Sequence, residues 1–144
     1  MKPVMVLTLL ALSLSGPALA DEREPIPLNP AQEHFVRDEM RGFLAALQGI
    51  HAGLSSGDWV RVAALARGMG KAAGETAPPG LGEAFTPRFR EWGSATHTGF
   101  DQLALDAESM QDVSLALGQL GEIMKNCMQC HATYRIESSA RPAR

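Results

Sequence analysis

Residues 113–134, VSLALGQLGEIMKNCMQCHATY, decide the fold of this chain. Large side chains recur in this stretch at alternating steps of four and three residues, at Val113, Leu117, Leu120, Met124, Cys127, His131 and Tyr134. This spacing places them on one face of an α-helix, because an α-helix completes a turn about every 3.6 residues. We therefore predict a long amphipathic helix that opens near Asp112 and carries Cys127 and His131 on its inward face.

Three upstream segments have the same helical pattern. The first begins at Pro30 behind Asn29, a favourable N-cap, and its apolar positions are Val36, Met40, Phe43, Leu47, Ile50 and Leu54. A shorter helix follows a cap at Ser56 or Asp58, and its apolar positions are Trp59, Val62, Leu65, Ala66 and Met69. After a loop rich in Pro and Gly, Thr86 and Pro87 open a helix that carries Phe89, Trp92, Thr96, Phe100 and Leu103.

A helix with one apolar stripe must bury that stripe against its neighbours. Four such helices, joined by mostly short loops and with no strand pattern between them, predict an all-α fold. We expect an antiparallel up-down-up-down four-helix bundle over residues 30–137. At 144 residues the chain has the length of a single domain.

The two ends of the chain differ from the helical region. Residues 1–20 combine a positive start at Lys2, an apolar run and small residues at Ala18 and Ala20, the pattern of a cleaved export signal. The apolar run is shorter than the ~20 residues that span a bilayer, so we expect no membrane insertion after cleavage, with an uncleaved anchor as the alternative. Asp21 would then begin the exported chain, with an extended lead-in over 21–29 and a frayed tail over 138–144.

The charge pattern excludes one class of partner. The chain has 13 Lys and Arg against 16 Asp and Glu, a formal net charge of −3, and its basic residues are scattered. Binding to a nucleic-acid backbone requires a basic face that neutralises phosphates. We therefore expect no nucleic-acid partner.

Cys127, Cys130 and His131 form the C-x-x-C-H pattern of covalent c-type haem attachment, and these two cysteines are the only ones in the chain. Two thiols on one helical face can each form a thioether with a porphyrin vinyl group, while the histidine one turn beyond Cys127 reaches the iron. A thioredoxin-type redox pair is an alternative, but it opens a helix after a strand. A structural zinc site is another, but it needs ligands that the dispersed remaining histidines do not supply. We predict one covalent haem c per chain.

The order of these features resembles the class II cytochromes c, the group that includes cytochrome c-prime and cytochrome c556. The resemblance rests on residues 127–135, CMQCHATYR, near the C-terminus, and on residues 37–40, RDEM, in the first helix. It implies a periplasmic haem protein of a Gram-negative bacterium, with His131 as the proximal iron ligand. As in cytochrome c556, Met40 would be the distal ligand, and Arg135, one turn beyond the histidine, would lie near the haem edge or a propionate.

Aromatic side chains are expected to wall the haem pocket, among them Phe43 and Tyr134. No distal pair of histidine and arginine can be identified near Met40, and His97 reads as a surface or partly buried group, so an enzyme is not favoured. We expect a carrier of one electron with transient redox protein partners, and the resemblance implies a homodimer formed through the first helix. The alternative is a five-coordinate protein like cytochrome c-prime that binds NO or CO, with Met40 as a wall residue.

Overall fold

The computed structural model describes residues 21–139, which are mostly helical. The helices are α1 (Pro30–Ser56), α2 (Trp59–Gly68), α3 (Leu81–Ala84), α4 (Pro87–Ser109) and α5 (Val113–Thr133), with a 3-10 helix over Lys71–Thr76. Two short strands flank them, β1 (Glu24–Leu28) and β2 (Tyr134–Ser138). The predicted all-α class is confirmed apart from this small sheet. Within residues 21–139, no helix combines the length and apolar character needed to cross a membrane, and the predicted export signal lies outside the described residues.

The four longer helices begin where the sequence predicts, because each of these starts is fixed by a local side-chain cap, whereas the short α3, which lies in the segment predicted to be a loop, begins without one. Asn29 Oδ1 accepts hydrogen bonds from the backbone N–H groups of Ala31 and Gln32, and the Gln32 side chain accepts one from the Asn29 N–H. This reciprocal arrangement satisfies N–H groups that a helix start otherwise leaves free. At the starts of α2, α4 and α5, the side chains of Asp58, Thr86 and Asp112 each accept one backbone N–H.

One apolar core joins the four longer helices. Its fully buried members include Ile50 of α1, Val62 of α2, Phe100 and Leu103 of α4, and Leu120 of α5. Along the chain, α1 packs against α2, α2 against α4, and α4 against α5. The last pair approaches closely because Gly99 has no side chain: a Cβ atom there would lie 2.7 Å from Ile123 Cγ1.

A parallel two-stranded sheet, which the sequence pattern did not predict, joins the two ends of the described chain. The backbone N–H of Ser139 donates to the Leu28 carbonyl oxygen at 2.9 Å, so the backbone groups of Leu28 face β2. Pro25 and Pro27 alternate with the residues that face β2, and their missing N–H groups are therefore not needed for pairing. These prolines explain why β1 was not predicted from the sequence, because proline is uncommon within strands.

The sheet corrects two predictions at the C-terminal end. Ser138, predicted to begin a frayed tail, belongs to β2 and pairs with Leu28. Tyr134 lies in β2 rather than on the last helix, because α5 ends at Thr133, and its side chain is buried in a cluster with Ile26. Pairing with β1 gives these backbone groups partners that a free end would lack. Residues 140–144 of the predicted tail lie outside the described residues.

Helix α5 has the predicted period, but its buried face is rotated from the predicted one. The buried residues are Ala116, Leu120 and Ile123. Three residues of the predicted face are exposed by 44, 48 and 38%, namely Val113, Leu117 and Met124. The reason is that α5 packs mainly against α4, and a single neighbouring helix covers only a narrow stripe.

Candidate haem-binding cleft

A cleft lies between α1, α4 and α5. Its cavity volume is about 240 Å³, and it is partly open to solvent. Apolar side chains form most of its wall, among them Val36, Met40, Phe43, Phe89 and Trp92. Helix α5 contributes Cys127, Cys130 and His131 to the same cleft. Folding therefore brings together five of the predicted site residues.

Cys127 and Cys130 are partly buried free thiols in the cleft wall. Burial raises the pKa of both thiols, and the charge of Cys127 adds to this effect at Cys130, whose pKa reaches about 11. The Cys127 thiol also donates to the carbonyl oxygen of Ile123 at 3.5 Å. Both groups are therefore thiols at neutral pH, which protects them from oxidation because the thiolate is the reactive form.

His131 is exposed, which corrects its predicted position on an inward face. It lies in the last turn of α5, past the stripe that α4 covers, so its imidazole borders the cleft without being enclosed by it. A flat ligand seated in the cleft would cover this side of the ring.

Met40 and Phe43 project into the cleft from α1. Met40 is partly buried and contacts both apolar clusters of the protein. Phe43 is 9% exposed, and its ring stacks on that of Phe100 with the ring centres 5.5 Å apart. Among the described residues of this cleft, Met40 carries the one thioether, a ligand that pairs with histidine in c-type cytochromes.

A second cavity with a charged rim adjoins the cleft. The two share Met40, Cys130 and His131 in their walls, and the second extends to Tyr134 and to three arginines, Arg23, Arg37 and Arg135. The Tyr134 hydroxyl and Thr86 Oγ1 form a hydrogen bond of 2.8 Å, which fixes this ring against the start of α4. The predicted pocket residues are thus divided between the apolar cleft and this adjoining, arginine-lined cavity.

Arg135 reaches this second cavity from β2. It is not one helical turn beyond His131, as the sequence predicts, because α5 ends at Thr133. One end of its guanidinium lies 3.2 Å from Glu137. Its Nε atom is buried and has no hydrogen-bond partner, although buried donors are nearly always satisfied. A polar acceptor from a bound group would complete this site.

Sequence reasoning missed an ionisable pair in the cleft wall, Glu39 of α1 and His97 of α4. Their side chains are each 18% exposed, and His97 Nε2 lies 3.5 Å from Glu39 Oε1. The other ring nitrogen, Nδ1, is 2.9 Å from the Met69 carbonyl oxygen and must be the donor there. Burial raises the pKa of Glu39, while the charge of His97 opposes that increase. His97 is far from Met40 in the sequence, and folding brings it into the same cleft.

The cleft residues fit a covalently attached haem. An apolar slot suits a porphyrin, and two thiols and an imidazole lie on the same helix in its wall. His131 and Met40 supply an imidazole and a thioether, two side-chain groups that can bind haem iron. The unpartnered Arg135 Nε in the adjoining cavity suits an acidic substituent such as a propionate.

Comparison with known proteins gives no match to this chain, whether by family model, by curated sequence or by solved structure. Within residues 21–139, no three His, Cys, Asp or Glu side chains are grouped so that they could hold a metal ion by themselves.

Proposed function

We propose that this protein is a class II c-type cytochrome that carries one electron through a haem bound covalently to Cys127 and Cys130. The observation that carries the proposal is the shared cleft, which both thiols, His131 and Met40 all line. His131 would be the proximal ligand and Met40 the distal one. Haem iron supplies a one-electron ferric/ferrous couple when it is bound.

The protein's own residues would attach and enclose this group. Each thiol would add across one vinyl group, with sulfur bonding one carbon and the proton passing to the other, so that nothing is released. The raised pKa of Cys130 keeps the proton on sulfur until this reaction. Phe43 and Trp92 would exclude water from the iron, which favours the less charged ferrous state.

The remaining expectations belong to the same proposal. We propose an antiparallel four-helix bundle, export to the periplasm with cleavage before Asp21, and transient contact with redox protein partners. A homodimer through the first helix, on which Leu44 is 70% exposed, belongs to the same proposal.

Absorption spectroscopy of the exported, purified protein tests the proposal, in the ferric form and in the ferrous form before and after addition of carbon monoxide. We expect mass spectrometry to show one covalent haem and the spectrum to be low-spin and insensitive to carbon monoxide. Met40→Ala should turn the ferric spectrum high-spin and allow carbon monoxide to bind the ferrous form. Met110→Ala is the matched control, because Met110 is 61% exposed and lies outside the cleft.

Two results would contradict the proposal in different ways. Absence of covalent haem would refute the cytochrome function altogether. A high-spin spectrum that responds to carbon monoxide in the unaltered protein, and that Met40→Ala leaves unchanged, would refute the distal ligand and support the five-coordinate protein that binds NO or CO.

A further inference from the structure

The side chain of Arg23, which precedes β1, reaches the end of α5. Its Nη1 donates to the carbonyl oxygen of His131 at 3.1 Å and lies 3.5 Å from that of Tyr134. Arg23 is separated from His131 by 108 positions in the sequence. The contact therefore depends on the parallel pairing of β1 with β2, which brings the N-terminal segment beside the haem-attachment motif.

Asp21 holds the Arg23 guanidinium in this orientation. Its two carboxylate oxygens accept from Arg23 Nε at 2.9 Å and from Nη2 at 2.7 Å, so Nη1 remains to face α5. The hydrogen bond from Arg23 lowers the pKa of Asp21 to about 2. The carboxylate is therefore charged throughout the neutral range, and the guanidinium is fixed on two sides.

The end of α5 needs such a donor. The last four carbonyl groups of a helix have no partner within the helix, and they carry its negative dipole end. The Tyr134 N–H satisfies the Cys130 carbonyl, and Arg23 satisfies that of His131. A cation at this position is favourable, and it restrains the backbone of the residue whose imidazole borders the cleft.

We propose that Arg23, held by Asp21, is a positioning residue that fixes the backbone of His131 and thereby the orientation of its imidazole at the iron. The proposal rests on the function proposed above, with His131 as proximal ligand. Arg23 acts through the His131 carbonyl oxygen and does not itself touch the iron. The same contact makes the N-terminal segment part of the haem site.

The test compares Arg23→Gln and Arg23→Lys in the haem-loaded, exported protein. Arg67→Gln is the matched control, since Arg67 is also exposed and ion-paired. Its partner is Glu108 at the C-terminal end of α4. We measure amide hydrogen exchange over residues 131–136 and the ferric electron paramagnetic resonance spectrum, whose line shape reports the orientation of an axial imidazole. Asp21→Asn provides a second variant that keeps Arg23 but frees it.

For Arg23→Gln we expect exchange over residues 131–136 to become about threefold faster or more and the low-spin resonance to broaden or split. Asp21→Asn should shift both readouts in the same direction, Arg23→Lys should restore part of each, and Arg67→Gln should leave both as in the unaltered protein. Unchanged exchange and line shape in Arg23→Gln would overturn the proposal. Faster exchange with an unchanged line shape would also overturn it, because Arg23 would then stabilise the helix end without orienting the ligand. If the protein carries haem with low-spin iron but Arg23→Gln has no effect, only the positioning role of Arg23 is refuted. If the protein carries no haem, the proposed cytochrome function is refuted as well.

Discussion

The close approach of α4 and α5 at Gly99 allows a quantitative test of how the cleft walls are held. In Gly99→Ala the new Cβ would lie 2.7 Å from Ile123 Cγ1 and 3.3 Å from its Cδ1, distances at which the buried Ile123 must move. Overpacking of this kind costs about 1–3 kcal/mol of unfolding free energy. Replacing a glycine inside a helix by alanine returns about 1 kcal/mol. We therefore expect Gly99→Ala to be destabilised by about 0–2 kcal/mol overall.

Gly118→Ala isolates the steric contribution. Gly118 is exposed within α5, and a Cβ atom there meets nothing within 4 Å, so this variant should be stabilised by about 0.5–1 kcal/mol. Both variants receive the same helical benefit, and their difference of about 1–3 kcal/mol reports the clash with Ile123. In urea unfolding followed by far-ultraviolet circular dichroism, this corresponds to midpoints about 1 M apart. Equal midpoints would refute the close approach of the two helices.

Three further predictions concern the core, the charges and the thiols. Phe100→Ala removes a ring that is 1% exposed, and thermal or urea unfolding should show a loss of about 3–5 kcal/mol; a loss below 1 kcal/mol would contradict its burial. The Asp21 carboxyl has a folded pKa of about 2 against the ordinary 3.8, so its contribution to stability is present above pH 4 and is lost as the pH falls toward 2. Asp21→Asn should remove that part of the acid dependence, and an NMR titration of Asp21 near its ordinary value would contradict it. In protein purified without haem, Cys130 should react with iodoacetamide about tenfold faster per pH unit between pH 8 and pH 10; a rate that levels off near pH 9 would show an ordinary thiol.

The helix starts could be predicted from the sequence because each depends on a few adjacent residues. Asn29 with Pro30, and Thr86 with Pro87, contain the whole signal within one helical turn. The rotation of α5 could not be predicted in the same way. Two stripes with steps of three and four share Leu120 and Cys127, so spacing gives the period of the helix but not which stripe meets α4. Packing against α4 decides which stripe is buried, because small residues such as Gly99 allow α5 to approach closely there.

In the candidate site, too, some residues can be predicted from local sequence and others only from tertiary structure. Cys127, Cys130 and His131 lie within five consecutive residues, and their spacing alone predicts the attachment chemistry. His97 and Arg23 reach the site only through tertiary structure, and each lies among residues that read locally as surface. Only the pairing of β1 with β2 brings Arg23 to α5, and this pairing is not evident from the sequence because β1 contains two prolines.

The β1–β2 sheet also has a consequence for the order of events during folding. Its two strands lie about 110 residues apart in the chain, and closing a loop of that length costs on the order of 4 kcal/mol of chain entropy. Contacts between such distant segments form after local ones, so we expect α4 and α5 to pack before β1 docks. If Cys127 and Cys130 attach haem as proposed, their side of the cleft would then remain open until β1 has paired with β2. Pulse-labelled hydrogen exchange would test this order, since protection of β1 before α5 would contradict it.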